Sequence, residues 1–514
     1  MAKEAMVNSV KVRMYRHGFG DCFLVSFFHG KKREFAMLID CGIKHNTRSE
    51  KVPIEDVIED LRKTLTSSGG GKPKLDVLVA THEHWDHVAY FHPQQFDDFF
   101  AKFDIGQVWL AWTEDPDDDE AVTINSRLRE GVAALQVAAA GLKEAEADES
   151  ERFSGLYFGK SVAAAREDLN ASMADVLGFY GVAAKSKVSE SGIKYKPNGK
   201  VSVETEVAMS HIVNLGKEGG GVRYLSPGTT VDRRLLPPGI NVFVLGPPRS
   251  SRINKSNPSG GKTHETYMSI DDTGLTSFVD GLLQLGADKN SHAPTRNQSS
   301  GPFSNGVGTS VAEAQADPWF VKTYFAPAER YRQIEHCWMD VAGQFALQLD
   351  GAINNTSLVL AIELEESGKV LLFPGDAQVG SWLSWHEYEW KVKRGLKTET
   401  VTAEDLLNNT VLYKVSHHGS HNATVKEKGL EMMTHSDLVA MIPEKEKSYN
   451  GILYEPLIKR LNELCKGRVI VSADVKHPPE NLVKKRPAGL TESEWKEFKT
   501  DIDVTQLYVE YTVQ

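Results

Sequence analysis

Long apolar runs are absent from this chain. No stretch of its 514 residues approaches the roughly eighteen uninterrupted apolar residues that a membrane-spanning helix needs. The first residues, Met1 to Val7, lack the apolar core of a secretory signal. A mean hydropathy of -0.35 with 25% charged residues is typical of soluble globular proteins. These absences predict a cytoplasmic protein that does not act at a membrane.

Cysteine and excess positive charge are also scarce. The four cysteines are far apart: Cys22, Cys41, Cys337 and Cys465. No CxxC pair is present, which argues against a structural zinc ribbon or a dithiol redox motif. The formal net charge of -11 argues against a chain-wide surface for nucleic acid. Two short basic clusters, at 391–394 and 484–486, could line a groove, but solvated turns are the favoured interpretation.

Apolar patterning predicts two groups of strands with helices outside them. Strands are expected at 10–14, 22–28, 35–42 and 77–81, and then at 222–225, 241–245, 357–364, 370–373, 411–415, 438–442, 468–473 and 504–513. A helix is expected at 54–65. Two groups of strands flanked by helices favour an α/β fold in which helices sandwich two sheets.

Two segments interrupt this pattern. Between 120 and 190, apolar residues recur at spacings of three and four and predict two amphipathic helices. The stretch 249–315 is polar and rich in Ser, Gly and Asn, and a helix is expected after it, from Tyr331 to Phe345. We therefore expect one domain over 1–514 with insertions at 120–190 and 249–345.

The most informative block follows a buried apolar segment. It places three histidines and an aspartate within six residues: His82, His84, Asp86 and His87. Imidazole nitrogens and a carboxylate at this density suit zinc, manganese or iron and have no ordinary packing use. The block predicts a transition-metal site.

Two further strand ends carry residues of the same type. Asp376 follows Gly375 after the strand at 370–373, and His417-His418-Gly419-Ser420 follows the strand at 411–415. A dinuclear hydrolase needs ligands from several strand ends around two ions about 4 Å apart, with one carboxylate able to bridge them. These positions are suitable candidates.

Three blocks, taken in their order along the chain, resemble the metallo-β-lactamase superfamily, most closely its ComEC-like branch: His82–His87, Gly375-Asp376 and His417–Ser420. Further resemblance lies in 38–42, 244–248 and 354–360, so the similar blocks span about residues 9 to 475. The resemblance implies a four-layer αββα sandwich. The segments at 120–190 and 249–345 match nothing in that pattern.

The resemblance implies two divalent ions, zinc or alternatively manganese. Six side chains would hold them: His82 and His84 the first ion, Asp86, His87 and His418 the second, and Asp376 both. Asp40 would lie beneath as an acceptor that orients a ligand imidazole, unless it is only a turn or capping residue.

One departure from the family concerns the first ion. Better-studied members have a third histidine shortly before the strand at 357–364, where this chain has Ala352-Ile353-Asn354-Asn355. Water, Asn355 or a histidine from elsewhere could complete the site. The candidate histidines are His211, His264 and His336. A mononuclear site on the Asp86 side is the alternative.

The implied chemistry is hydrolysis by a metal-activated hydroxide, since two ions lower the pKa of a bridging water to about 7. Asp86 and Asp376 would position this nucleophile. His417, next to the ligand His418, would contact the substrate oxygen or protonate the leaving group, although packing is its alternative role. The expected catalytic residues are thus Asp86, Asp376 and His417.

Other residues near these motifs have two interpretations. Ser420 and Asn422 could donate to a phosphate or cap a following helix. Lys414 is expected to be structural. Three tryptophans could stack on a base or belong to the core: Trp85, Trp109 and Trp112.

The sequence is compatible with three functions. The ComEC-like resemblance favours a phosphodiesterase or nuclease acting on a nucleotide or nucleic acid. Hydrolysis of a carboxylic ester, lactone, thioester or amide would use the same hydroxide. A third possibility is a non-catalytic, metal-braced component of a multi-protein bacterial system that binds partner proteins through its insertions.

Overall fold

The computed structural model describes most of the chain. The described residues are 6–45, 47–148, 201–249, 311–326, 348–394, 397–422, 424–445, 453–473 and 478–514, with short pieces between 156 and 195 and single residues at 253, 329 and 346. Most of the second predicted insertion and part of the first lie outside these ranges. The residues outside them include His264, His336, Cys337 and the helix expected at 331–345.

The chain is a mixed α/β protein. Its strands are β1 (Ser9–Tyr15), β2 (Cys22–His29), β3 (Lys32–Cys41), β4 (Lys74–Val79), β5 (Asp104–Ala111), β6 (Leu156–Tyr157), β7 (Lys160–Ser161), β8 (Lys194–Tyr195), β9 (Val201–Ser202), β10 (Val222–Leu225), β11 (Ile240–Gly246), β12 (Val359–Leu364), β13 (Val370–Phe373), β14 (Glu389–Arg394), β15 (Lys397–Thr402), β16 (Thr410–Lys414), β17 (Val439–Lys445), β18 (Val469–Ala473), β19 (Ile502–Val504) and β20 (Tyr508–Val513).

The helices include one long segment in the first predicted insertion. They are α1 (Ile54–Leu65), α2 (Trp85–Val88), α3 (Asp119–Asp148), α4 (Glu204–Glu218), α5 (Val311–Ala316), α6 (Pro318–Thr323), α7 (Val379–Ser384), α8 (Ala403–Asn408), α9 (Glu455–Leu464), α10 (Glu480–Lys484) and α11 (Glu492–Asp501). Short 3-10 turns lie at Ala89–Phe91, Phe99–Lys102, Trp112–Glu114, Arg233–Leu235, Trp385–Glu387, Ser416–Gly419 and Leu430–Met432.

Two mixed sheets contain most of the strands. The first has eight strands in the order β10-β5-β4-β3-β2-β1-β20-β19, and the second has six in the order β11-β12-β13-β16-β17-β18. β3, β4, β5 and β10 run parallel to one another, and so do β13, β16, β17 and β18. The sequence predicted two sheets, but their strands do not follow the two groups along the chain: β10, β19 and β20, which were expected with the second group, belong to the first sheet.

One apolar core is shared by the two sheets, and β2 illustrates how. Because successive side chains of a strand point to opposite faces, Phe23, Val25 and Phe27 join the core between the sheets. Leu24 lies in a second core on the other face. Phe23 meets Phe373 of the second sheet edge to face, with ring centroids 5.9 Å apart. Each such buried side chain contributes roughly 1.5–3 kcal/mol.

Helices pack on the outer face of each sheet. Helix α1 is amphipathic, with Val57 and Leu61 fully buried in the core on the outer face of the first sheet. On the second sheet, α7, α8 and α9 bury apolar side chains, including Trp382 and Leu461, in a third core. This helical cover keeps strands that are buried on both faces, such as β12 and β13, away from water.

A smaller fourth core connects the first predicted insertion to the rest of the protein. Leu135 of α3 and Tyr180 pack with Phe19, which lies just before β2, and with Ile353, which lies before β12. The described part of this insertion therefore lies against the main body instead of projecting from it.

Several sequence expectations need correction. Residues 504–513 form the hairpin of β19 and β20 and not one strand, because the chain turns at Thr505–Leu507. The basic cluster at 391–394 lies in β14, which pairs with β15, and is not a turn. The cluster at 484–486 begins at the last residue of α10. The helix at 54–65 is confirmed with its predicted bounds.

Within the described ranges, no helix combines the length and apolarity needed to cross a bilayer.

A buried charge cluster fastens α3 to the block that contains the histidines. The guanidinium of Arg129 lies 3.0 Å from a carboxylate oxygen of Glu206 and 3.5 Å from one of Glu83. Glu83 also accepts a hydrogen bond from Thr205, at 3.0 Å. Burial, and then the charge of Glu83, raise the pKa of Glu114 to about 8. The cluster is acidic, and Arg129 compensates part of its charge.

Replacing Arg129 by methionine should therefore destabilise the protein. Two largely buried carboxylates lose their counter-charge, and we expect the free energy of unfolding to fall by roughly 3 kcal/mol in urea titrations of the full chain. Arg127 is an exposed arginine on the same helix. Its replacement by methionine is the matched control and should change stability by less than about 0.5 kcal/mol. Equal effects of the two variants would contradict this role.

Candidate metal centre

The carboxyl ends of four strands supply the candidate site. β3 and β4 are parallel neighbours with Ile39 opposite Val79, and β13 and β16 are parallel neighbours with Leu372 opposite Tyr413. Parallel neighbours end at the same edge of a sheet, so the segments that follow each pair emerge side by side. β2 is antiparallel to β3, with Cys22 opposite Cys41, so the residue before β2 reaches this edge too.

Four of the predicted ligands form one compact group. Ligand atoms of Asp86, His87, Asp376 and His418 all lie within 4.8 Å of one another, and all four residues are buried. Nε2 of His87 is 3.1 Å from Oδ2 of Asp376, and Nε2 of His418 is 3.1 Å from Oδ2 of Asp86. Residues from three separated parts of the chain thus meet at one point.

The other two predicted ligands are adjacent to this group. Nε2 of His82 lies 3.1 Å from Nδ1 of His84, and the rings of His82 and His87 are 4.2 Å apart. Both residues are buried. The structure therefore brings all six predicted ligand residues together, with His82 and His84 as a pair beside the group of four.

Most of these imidazoles are held by the nitrogen that faces away from the group. Nδ1 of His87 lies 2.8 Å from a carboxylate oxygen of Asp40, and Nδ1 of His418 lies 2.8 Å from the carbonyl oxygen of Pro443. Nδ1 of His82 lies 3.1 Å from the hydroxyl of Thr81. Asp40 itself accepts from the amide and hydroxyl of Thr81. Such outer contacts orient metal-ligating histidines and fix their tautomer, and Asp40 occupies its expected place.

Two buried charged residues, Lys414 and Asp21, lie within the site. The sequence had not assigned either of them to it. Nζ of Lys414 is 2.7 Å from Oδ2 of Asp21 and 3.0 Å from Oδ1 of Asp376. A carboxylate oxygen of Asp21 lies 3.7 Å from Nδ1 of His87. Asp21, Asp40 and His87 form a second group able to hold a cation. The only sequence signal for Asp21 is its position after Gly20 at a predicted strand start.

The acids of the group attract positive charge. Burial opposes protonation of His87, but nearby carboxylates, led by Asp376 and Asp21, outweigh it and raise the pKa of His87 well above 6.5. The same balance raises the pKa of His418 to about 9. Burial lowers the pKa of His82 well below 6.5 and that of His84 to about 4. His82 and His84 are therefore neutral, as metal ligands must be.

The donor set fits a metal ion. Among the described residues, Oδ1 of Asp86 and Nε2 of His84 are buried and have no hydrogen-bond partner. Buried polar atoms without partners are uncommon in folded proteins and often mark an ion or a water. Mixed imidazole and carboxylate donors suit zinc and related transition metals. The buried His/Asp groups could therefore hold a metal ion.

The sequence did not show which group completes the proposed ligand set of the first ion. Asn355 is buried, but its side-chain oxygen already accepts from the backbone amide of Gln378, at 3.1 Å. His211 is paired with Asp98, at 2.8 Å. A residue not considered from the sequence, Asp350, approaches His84 to 3.9 Å. Burial and the charges of Asp86 and Asp376 raise the pKa of Asp350 to about 7, a repulsion that bound cations would relieve.

His417 is next to the group but is not one of its four members. Its Nδ1 lies 2.7 Å from the hydroxyl of Ser420, and its backbone amide donates to Asp376 at 3.1 Å. Its Nε2 lies 3.4 Å from the side-chain amide nitrogen of Asn354. Both His417 and His418 have left-handed backbones, with φ of 44° and 50°. Such conformations cost energy in non-glycine residues and cluster at functional sites.

The structure distinguishes between the alternative roles of several neighbouring residues. Ser420 and Asn422 hold His417, with Oδ1 of Asn422 3.3 Å from the imidazole, and no described helix begins beside them. Three tryptophans are core residues with at most 1% exposure and cannot stack on a substrate: Trp85, Trp109 and Trp112.

Comparison with known proteins does not add to this description. Neither a scan against protein-family models nor a search of curated proteins found a match for the chain.

The block with the histidines is fixed by close backbone contact with Gly42, just after β3. A Cβ atom on Gly42 would lie 2.2 Å from the carbonyl carbon of Asp86 and 2.2 Å from the amide nitrogen of His87. Only glycine allows this approach, so the positions of Asp86 and His87 depend on it.

Substitution of Gly42 by alanine should displace the ligand loop. We expect a loss of roughly 2 kcal/mol in unfolding free energy, together with reduced metal content by elemental analysis. Gly69 is the control, since an added Cβ there meets nothing within 4 Å. If Gly42→Ala retained the stability and metal content of Gly69→Ala, the proposed packing constraint would be wrong.

Proposed function

We propose that this chain is a metal-dependent hydrolase of the ComEC-like branch of the metallo-β-lactamase superfamily, with the four-layer αββα sandwich of that superfamily. Its preferred substrate is a phosphodiester in a nucleotide or nucleic acid. One observation carries the proposal: the His82–His87 block, Asp376 and His418, far apart in sequence, converge in one buried cluster.

The donors favour two zinc ions, with manganese as the alternative. Two sets of residues would hold them: His82 and His84 the first ion, and Asp86, His87 and His418 the second, with Asp376 shared. When bound, the ions would lower the pKa of water enough to supply hydroxide at neutral pH and would neutralise charge on the attacked group.

The chain's own residues fix the carboxylates and supply a proton-transfer group. Asp376 is oriented through Oδ1, which accepts from Lys414 at 3.0 Å and from the amide of His417 at 3.1 Å. Ser420 holds Nδ1 of His417. Nε2 of His417 is thereby directed to hold or deliver a proton at the leaving oxygen.

The covering of the cluster favours a small or flexible substrate. The six proposed ligands are at most 1% exposed. Phe19 packs against His418 with ring centroids 4.3 Å apart, and Phe179 packs against His84 at 5.4 Å. His417 is only partly buried and marks the accessible side. With a net charge of -11, a nucleotide or a single-strand end fits better than a rigid duplex.

A substrate panel tests the reaction class. Purified full-length protein should hydrolyse bis-p-nitrophenyl phosphate faster than nitrocefin or an acyl thioester, and Asp376→Asn should abolish that activity because a shared ligand is lost. Faster turnover of the carbonyl substrates would instead establish the ester, thioester or amide hydrolase. A fully metal-loaded protein that turned over none of them would favour the non-catalytic interaction component.

Replacement of His417 by asparagine separates proton transfer from metal binding. Asparagine tolerates the left-handed backbone, so the fold and metal content should be retained, while kcat falls about 100-fold because the general acid is lost. His435, which is partly exposed and lies near Asp437 outside the cluster, provides the control: His435→Asn should retain wild-type kcat. Unchanged kcat in His417→Asn would exclude this role.

A further inference from the structure

The outer contacts of the ligand histidines are incomplete at one position. His82, His87 and His418 each have their outer nitrogen within 3.1 Å of an oxygen atom. His84 differs. Its Nδ1 is directed towards Nε2 of His82, and its outer nitrogen, Nε2, is buried without a hydrogen-bond partner among the described residues.

The carboxyl group of Asp350 lies close to this nitrogen. Oδ1 of Asp350 lies 3.9 Å from Nε2 of His84, and this oxygen is itself buried with no hydrogen-bond partner within the described part of the chain. The other carboxylate oxygen, Oδ2, accepts from the side-chain amide of Asn354 at 3.2 Å. A buried potential donor and a buried acceptor thus face each other just beyond hydrogen-bond distance.

We infer that Asp350 is a positioning residue for His84, whose Nε2–H it accepts when the metal centre is assembled. This inference rests on the proposed function. A neutral imidazole carries one N–H, so using Nδ1 as the ligand atom leaves the proton on Nε2. A buried N–H without an acceptor costs about 1–3 kcal/mol. A carboxylate partner removes that cost and makes the ligand nitrogen more basic.

This contact matters more for the first ion than for the second. The second ion would have two histidines and two carboxylates, whereas the first would have His82, His84 and the shared Asp376 and would lack the third histidine of the family. Its affinity therefore depends strongly on the orientation and basicity of these two imidazoles. Asp350 acts on the half of the centre that the sequence left incomplete.

Zinc titration of the metal-free, full-length protein against a chromophoric chelator tests the inference. Wild type should show two binding events. Asp350→Asn should weaken one of them by about 10–100-fold and leave the other unchanged, with two equivalents still bound at saturating zinc. His84→Ala should remove the event that Asp350→Asn weakens, which assigns it to the first ion.

Two matched variants provide controls. Asp40→Asn removes the acceptor of His87 and should weaken the other event. Asp350→Glu keeps a carboxylate with a longer reach and should bind zinc at least ten times more tightly at the first position than Asp350→Asn. Circular dichroism of the metal-free proteins would show that each variant is folded.

The outcomes separate the inference from the function on which it rests. Two zinc events in wild type with both affinities unchanged in Asp350→Asn would overturn the role of Asp350. Loss of one equivalent at saturating zinc would also overturn it, because Asp350 would then be a ligand itself. A wild type that binds less than one equivalent would refute the two-metal proposal.

Discussion

Buried negative charge at the shared edge of the two sheets is the constraint on which the rest of the structure depends. Asp21, Asp40, Asp86 and Asp376 are each at most 1% exposed, and Lys414 is the lysine among them. Ionised carboxylates are stable out of water only when paired or bound to a metal. The buried carboxylates also raise the pKa values of His87 and His418, which favours a compensating positive charge on these imidazoles.

The parallel strand pairs and the tight loops of the fold position the residues of this site. Extended strands anchored in the common core deliver Asp40, Asp376 and His418 to one edge, and Gly42 lets the ligand loop lie directly against β3. Outer contacts from Thr81, Asp40 and Pro443 then orient the imidazoles. The first predicted insertion contributes α3, whose Arg129 contacts Glu83, the residue between the buried histidines His82 and His84.

The part of the site in which several residues of metal-binding type lie close together along the chain could be predicted from the sequence. The His82–His87 block is recognisable because such a density of histidines has no packing use, and buried strands such as 370–373 are apolar enough to be predicted. Asp21 and Asp350 could not be found in this way, because a single aspartate after a glycine or within a helical segment is common in turns and on surfaces. Their importance comes from tertiary contact. The hairpin of β14 and β15 was missed because its strands are mostly polar and contain no continuous apolar run. The strand β5 was missed although it ends in an apolar run at 108–111.

Metal content is the most direct test of the proposed two-metal centre. That centre requires about two equivalents of zinc or manganese per chain when the full-length protein is purified without chelators and analysed by inductively coupled plasma mass spectrometry. Fewer than one equivalent, in a protein shown to be folded, would contradict it.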